Sequence, residues 1–314
     1  MEDHLDDDNS FDLDNPFGDD FGFDGSSGKS TIYTPLQEAV RKGNMENVEH
    51  LISEVADIDA KDENGNTLLH LATDFQHLAI MKCLVSKGAY VHARNNNGMT
   101  PLHRAAHKRS IEVVKYLVSK GADIHAKDND GSTPLHMATS NGGWNNIEII
   151  NFLVSQGADV RVKTNDGVTL LHLAALEGHI EVIDFFVSKG IDVNAKNDKG
   201  RTPLHEVKNA GATEYLVSKG ANVHAKDDDG NTPLHEVVFM GGIEAIKFFV
   251  SNGVNLNAKN NRGLTPLDVA KAEVKRRLEM TDFGWCATPY MDDDPEITVE
   301  IAYLESIGAK SGKN

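Results

Sequence analysis

The segment Asp128-Asn129-Asp130-Gly131-Ser132-Thr133-Pro134-Leu135-His136 returns, whole or in part, throughout a chain of 314 residues. Thr-Pro-Leu-His itself recurs at 100–103, 202–205 and 232–235. Variants stand at Thr34-Pro35-Leu36-Gln37, Thr67-Leu68-Leu69-His70, Thr169-Leu170-Leu171-His172 and Thr265-Pro266-Leu267-Asp268. Successive threonines lie 33, 33, 33, 36, 33, 30 and 33 residues apart. A period of this size marks a stack of small units, none of which buries its apolar face alone. Length by itself would allow two domains, but a repeat array grows one continuous core unit by unit.

Within one period the residues prescribe a local structure. Asn129-Asp130-Gly131 is a turn, with glycine free to take positive φ. Thr133 caps a short helix, and Pro134 suits its first turn, where no amide donor is needed. Leu135 and Ala138 face the core, with small residues where the next unit approaches, and Gly142 ends the helix. A second helix opens near Ile147-Glu148, is apolar through Ile149, Ile150, Phe152, Leu153 and Val154, and stops at Gly157. An extended segment leads to the next turn. The same stop recurs at Gly88, Gly121, Gly190, Gly220 and Gly253.

This order of turn, helix, turn, helix and extended turn, written as Asp-x-x-Gly-x-Thr-Pro-Leu-His and later Gly-Ala-Asp, resembles the ankyrin repeat. The resemblance covers residues 31–280 in about eight units and implies an all-α solenoid of helix-turn-helix units with β-hairpin-like loops. Polar end units are expected. Gln37, Arg41, Lys42, Asn47 and His50 make the first unit polar, and in the eighth the helix runs on through 271–280 as a cap.

Charge divides the chain further. Residues 1–30 hold ten acids and Lys29, and residues 281–314 hold seven acids and two lysines, within a net charge of −17. The array between them is nearly neutral, which argues against a nucleic-acid surface. No apolar run is long enough to span a membrane, no signal-peptide order opens the chain, and Cys83 and Cys286 set up no disulfide framework. A cytoplasmic, monomeric protein is expected, with delivery into a host cell left open.

The N-terminal acids carry Phe11, Phe17, Phe21 and Phe23, too little apolar surface to fold alone. Asn15-Pro16-Phe17 matches the tripeptide read by endocytic EH-type domains, and acidic-aromatic alternation resembles an activation segment. Occupation of the protein's own groove and a solubilising role are the remaining readings. At the other end, Ile297, Ile301, Leu304 and Ile307 follow Pro295 at helical spacing, as a helix over 295–307 that caps the last unit or serves as a free motif.

Signals of chemistry are weak. Six of fourteen histidines sit in the repeated tetrapeptide, where the ankyrin resemblance implies a bond between neighbouring loops rather than a metal site. His103 and His107 are spaced for one metal but lack further ligands. Gly25-Ser26-Ser27-Gly28-Lys29-Ser30 mimics a phosphate loop, yet Phe23 occupies the place of its first glycine. No catalytic residue, cofactor site or metal site is expected. The row Lys61, Arg94, Lys127, Lys163, Lys196, Lys226 and Lys259 is read as paired with the Asp or Asn that follows nearly every member.

Recognition is therefore the expected function: a non-enzymatic scaffold or adaptor binding a protein in the concave groove. A host-directed effector and a regulator acting through the acidic tail are the alternatives. Information should lie where units differ. The candidates are Phe75, Met99, His107, Lys108, Trp144, Val168, Leu176, Phe239, Met240 and Leu264, most of them apolar without an evident core duty. Trp144 sits in the insertion of the 36-residue unit, and the 30-residue unit is shortened near Lys208-Asn209-Ala210-Gly211.

Overall fold

The computed structural model describes residues 34–53, 57–140, 146–240, 242–282 and 295–312, with the backbone alone at 146, 239–240, 277–282 and 295–298. The acidic N-terminal segment, Trp144 and the side chains of Phe239 and Met240 thus lie outside what is described. Seven units each contribute two α-helices: α1 (Pro35–Arg41) and α2 (Met45–Ile52), α3 (Leu68–Asp74) and α4 (Leu78–Ser86), α5 (Pro101–His107) and α6 (Ile111–Ser119), α7 (Pro134–Thr139) and α8 (Asn146–Ser155), α9 (Leu170–Glu177) and α10 (Ile180–Ser188), then, beyond the sixth unit, α12 (Pro233–Met240) and α13 (Ile243–Ser251), and α14 (Pro266–Asp282) and α15 (Pro295–Ser306). The sixth unit has a single 3-10 turn (Pro203–His205) followed by α11 (Ala210–Ser218). Among the described residues there is no strand, only an isolated antiparallel bridge between Lys163 and Thr169.

Local chemistry starts and stops each helix. Thr100 holds extended backbone at the cap of α5, Pro101 fills the first position, and the Thr100 and His103 side chains cap each other's backbone amides. The same reciprocal box recurs at Thr34, Thr67, Thr133, Thr169 and Thr202, and at Thr232 the backbone N–H likewise donates to Nδ1 of His235. Caps of this kind contribute on the order of 1 kcal/mol each. The second helices end in one repeated closure. At α6, Gly121 takes φ +83°, its N–H donates to the Val118 carbonyl at 2.9 Å, and Ala122 N–H reaches back to Leu117 at 3.0 Å.

Packing follows from the small residues. Ala72, Ala105, Ala138 and Ala174 are fully buried between successive first helices, so these backbones approach closely. The first helices form one row, α1 to α3 to α5 to α7 to α9 and onward, and the second helices form another, in looser contact over the first five units. That difference curves the stack with the first helices on its inner side. One apolar core runs from Leu36 to Ala309 through Met81, Leu117, Ile150, Phe186 and Phe249.

The C-terminal helix belongs to this scheme. Tyr303-Leu304-Glu305-Ser306-Ile307-Gly308-Ala309 repeats the second-helix ending Tyr116-Leu117-Val118-Ser119-Lys120-Gly121-Ala122. Gly308 has φ +88°, and Ala309 N–H donates to the Leu304 carbonyl at 3.0 Å, the same closure as in α6. Leu304 is fully buried, and α15 packs on α12, α13 and α14. It stands as the second helix of the eighth unit. Residues 310–312 then take the place of a further hairpin: Asp268 accepts from the Ser311 hydroxyl (2.6 Å) and the Gly312 amide (2.8 Å). Burial acts to raise the Asp268 carboxyl, but hydrogen bonds from Ser311, Thr265 and Gly312 outweigh it together and hold it at about 2.

Candidate functional site

The repeated histidines tie the array together. In the third unit, Nδ1 of His103 accepts the Thr100 backbone N–H at 3.1 Å and faces the Thr100 hydroxyl at 2.8 Å. Its Nε2 lies 3.1 Å from the carbonyl of Ser132, in the next unit. An amide can only donate and a carbonyl can only accept, so the ring is the neutral Nε2–H tautomer. The same arrangement joins His70 to Met99, His172 to Arg201, His205 to Asn231 and His235 to Leu264, at 3.0, 3.0, 3.3 and 3.2 Å. Burial, which disfavours the charged ring, lowers His70, His103, His136 and His172 to about 4 and His205 to about 3. His136 keeps its Thr133 bonds, and its Nε2 still faces the Val168 carbonyl, in a contact looser than the other rungs and outside good hydrogen-bond geometry. The following spacing is the 36-residue one, and Val168 stands where the acceptor would be.

A second ladder runs along the hairpins, and it corrects the expected lysine pairing. Lys61 Nζ donates to the Arg94 carbonyl at 2.7 Å, Lys196 to Lys226 at 2.8 Å, Lys226 to Lys259 at 3.0 Å and Lys259 to Gly312 at 2.9 Å. The Asp or Asn after each lysine is occupied elsewhere, because it closes its own turn. Asp128 Oδ1, for example, accepts the amides of Asp130 and Ser132 at 3.0 and 2.7 Å. One rung further on, Asn96, Asn129, Asn165 and Asn261 donate their side-chain amides to a carbonyl of the preceding unit at 2.8–2.9 Å. Tip glycines such as Gly131 (φ +78°) accept this approach because a Cβ there would stand 2.9 Å from the Asn165 amide nitrogen.

Unit-variable residues on the inner side divide into two groups. Met99 departs from the expected accessible anchor: it is 3% exposed and packs in the core, because the side chain before Thr100 turns inward beneath the hairpin. Phe75, His107, Lys108, Val168, Leu176 and Leu264 remain half-buried. Phe75 ends α3 and stacks on His77 with centroids 6.0 Å apart. The Lys108 carbonyl accepts from Gln76 Nε2 at 3.3 Å. His107 is lowered to about 4, by burial first and then by Lys108, Arg104 and Arg109 around it. These residues come from the second, third, fifth and eighth units.

Other variable positions pair between units. Arg104 lies 3.5 Å from the Asp74 carboxylate and donates to Asn66 Oδ1 at 3.3 Å. Arg201 lies 3.0 Å from both Glu206 and Glu236, in a triad whose side chains are 7%, 16% and 4% exposed. Burial raises Glu206 above the usual carboxylate range, and burial, opposed by Arg201, raises Glu236 to about 7. The sequence reading overlooked this triad, although Arg201, Glu206 and Glu236 stand where other units place small or apolar residues such as Ser132, Met137 and Leu173. It also overlooked Tyr90, 57% exposed at the position of Asp123 in the next unit.

Stacked helix pairs, hairpins carrying Thr-Pro-Leu-His, and a histidine linking each loop to the next define a helical solenoid of the ankyrin type. A family model described as Ankyrin repeats (3 copies) matches residues 36–128, 91–164, 115–197, 143–227 and 204–281, and the chain belongs to that family. Its repeats are generally protein–protein interaction modules and typically non-enzymatic. No match was found among curated proteins. No helix among the described residues is long and apolar enough to cross a membrane, and no cluster of three or more metal-ligating side chains occurs among them.

Proposed function

We propose that the chain is a non-enzymatic scaffold that binds a protein partner along the inner row of first helices and the adjoining hairpin tips. One observation carries this reading: the repeated Thr, Leu and His residues are buried framework, whereas Phe75, Lys108, Val168, Leu176 and Leu264 differ between units and are only half-buried. Partner specificity then resides in a row of side chains displayed by a common frame. The repeated histidines favour no catalytic role, since each is held neutral with Nδ1 committed to its capping threonine.

The test is quantitative capture from lysate by three chains of equal thermal stability. One is unchanged, one carries Lys108→Glu with Leu176→Ser on the inner row, and one carries Lys115→Glu with Lys247→Glu on the second helices. Loss of the captured partner from the inner-row variant alone is expected. Loss from the second-helix variant alone would move recognition to the outer face and overturn the proposal.

A further inference from the structure

The sixth unit breaks the pattern of its neighbours in three independent ways. Its first helix is reduced to the three-residue 3-10 turn Pro203–His205, where the flanking α9 and α12 have eight residues each. Its hairpin rungs lose the cross-unit amide. Asp198 and Asp228 occupy the position of Asn96, with Oδ1 against Gly167 and Gly200 as Asn96 Oδ1 lies against Gly65. Their backbone amides still reach the previous unit, at 2.9 and 3.0 Å. A carboxylate has no hydrogen to give the carbonyl that Asn96 and Asn129 serve.

The packing between first helices also changes here. Val207 and Val237 replace the alanines buried at Ala105, Ala138 and Ala174, and the Arg201–Glu206–Glu236 triad replaces apolar contact. A buried ion network regains hydration when its interface opens, whereas an apolar interface does not. Together, a missing helical turn, two missing amide bonds and a rehydratable interface fall on one unit.

We infer that the array is two cooperative blocks, units one to five and units seven and eight, joined at a seam in unit six that opens before either block. The seam lets the two parts of the inner row change their mutual angle without melting. This inference rests on the residues of unit six and stands whether or not the inner row binds a partner.

Hydrogen exchange followed by mass spectrometry on the full chain tests it at pH 7. Hairpin amides at 194–202 and 224–232 are expected to exchange at least about tenfold faster than those at 94–100 and 127–133, with helices of both blocks still protected. The double variant Asp198→Asn/Asp228→Asn, which installs the residue already used at the other rungs, is expected to slow the sixth-unit hairpins about tenfold and leave units three to five unchanged. Protection that falls smoothly from the middle of the array to its ends would overturn the seam. So would a double variant whose sixth-unit hairpins exchange at the unaltered rate.

Discussion

Units three to five and units six and seven are written in the same template and held together differently. From Thr100 to Gly200 the first helices meet through Ala105, Ala138 and Ala174, and the hairpins through Asn129 and Asn165. At the two junctions of unit six the same positions carry Val207, Val237 and a buried ion triad, and Asp198 and Asp228 stand at the hairpin rungs, with the amide restored only at Asn261. The histidine bond persists through both stretches and weakens only at His136. The histidine ladder therefore preserves the register of the stack, and the inter-helix positions tune how firmly each seam is closed.

The shared ladder can be broken by acid, with the largest effect. Burial holds His70, His103, His136 and His172 at about 4 and His205 at about 3, and lowers His235, all below the ordinary 6.5, so below pH 6.5 the unfolded chain binds more protons. Their stabilisation is complete above pH 6.5 and falls as the pH drops through this window, by about 2 kcal/mol per histidine at pH 5. Urea titrations followed by circular dichroism at pH 7.5, 6 and 5 should show the midpoint collapsing toward zero. Glu236 acts in the opposite direction, as do the other carboxyls raised by burial, Asp74, Asp128, Glu177, Glu206 and Asp227.

Single links separate the regions next. His103→Ala removes two bonds and a filled core position, and is expected to cost about 3 kcal/mol in chemical denaturation. His136→Ala should cost about 1 kcal/mol less, since its contact to the Val168 carbonyl is already loose. Equal costs would mean that the 36-residue spacing does not loosen the ladder.

The ion triad gives a smaller, pH-dependent contrast. Glu236 is raised to about 7, so its folded form favours the proton, and stability is lost as the pH rises from 4.5 through 7. Glu236→Gln keeps an oxygen to accept from Arg201 and removes the titration. Its stability relative to the unaltered chain should rise by about 2 kcal/mol between pH 5.5 and 8 in matched urea titrations. Arg104→Met, at the equivalent position in the third unit, takes the cation from the buried Asp74, so its relative stability should fall rather than rise over the same range.

The smallest effect is backbone strain. Gln76 has φ +57° at the turn where Gly43 and Gly178 have +72° and +73°. Gln76→Gly relieves that strain and loses the bond to the Lys108 carbonyl, a net gain of about 0.5 kcal/mol readable as a small rise in Tm.

The fold was legible because its determinants are local and repeated. Thr133, Pro134, Leu135, Ala138 and Gly157 each announce a cap, a first turn, a core face or a stop. Three features were not read correctly, for different reasons. Met99 carries no local mark of its inward turn, which is set by the hairpin above it. The Arg201–Glu206–Glu236 triad joins residues up to 35 apart, visible only when units are laid side by side. The lysine row looked paired to its adjacent acids because sequence neighbours are easier to see than residues one full period away. The ending of α15 was visible in Tyr303-Leu304-Glu305-Ser306, but the interval of 283–294 concealed its membership in the eighth unit.

Long-range proton–nitrogen NMR of the histidine rings, titrated from pH 7.5 to 5, tests the ladder most directly. His70, His103, His136, His172 and His205 should show the Nε2–H tautomer with no titration above pH 5, and His136 should show the smallest Nε2 shift, its contact to the Val168 carbonyl being the loosest. Protonation of these rings near pH 6.5, or the Nδ1–H tautomer, would contradict a stack whose units are joined through neutral histidine bonds.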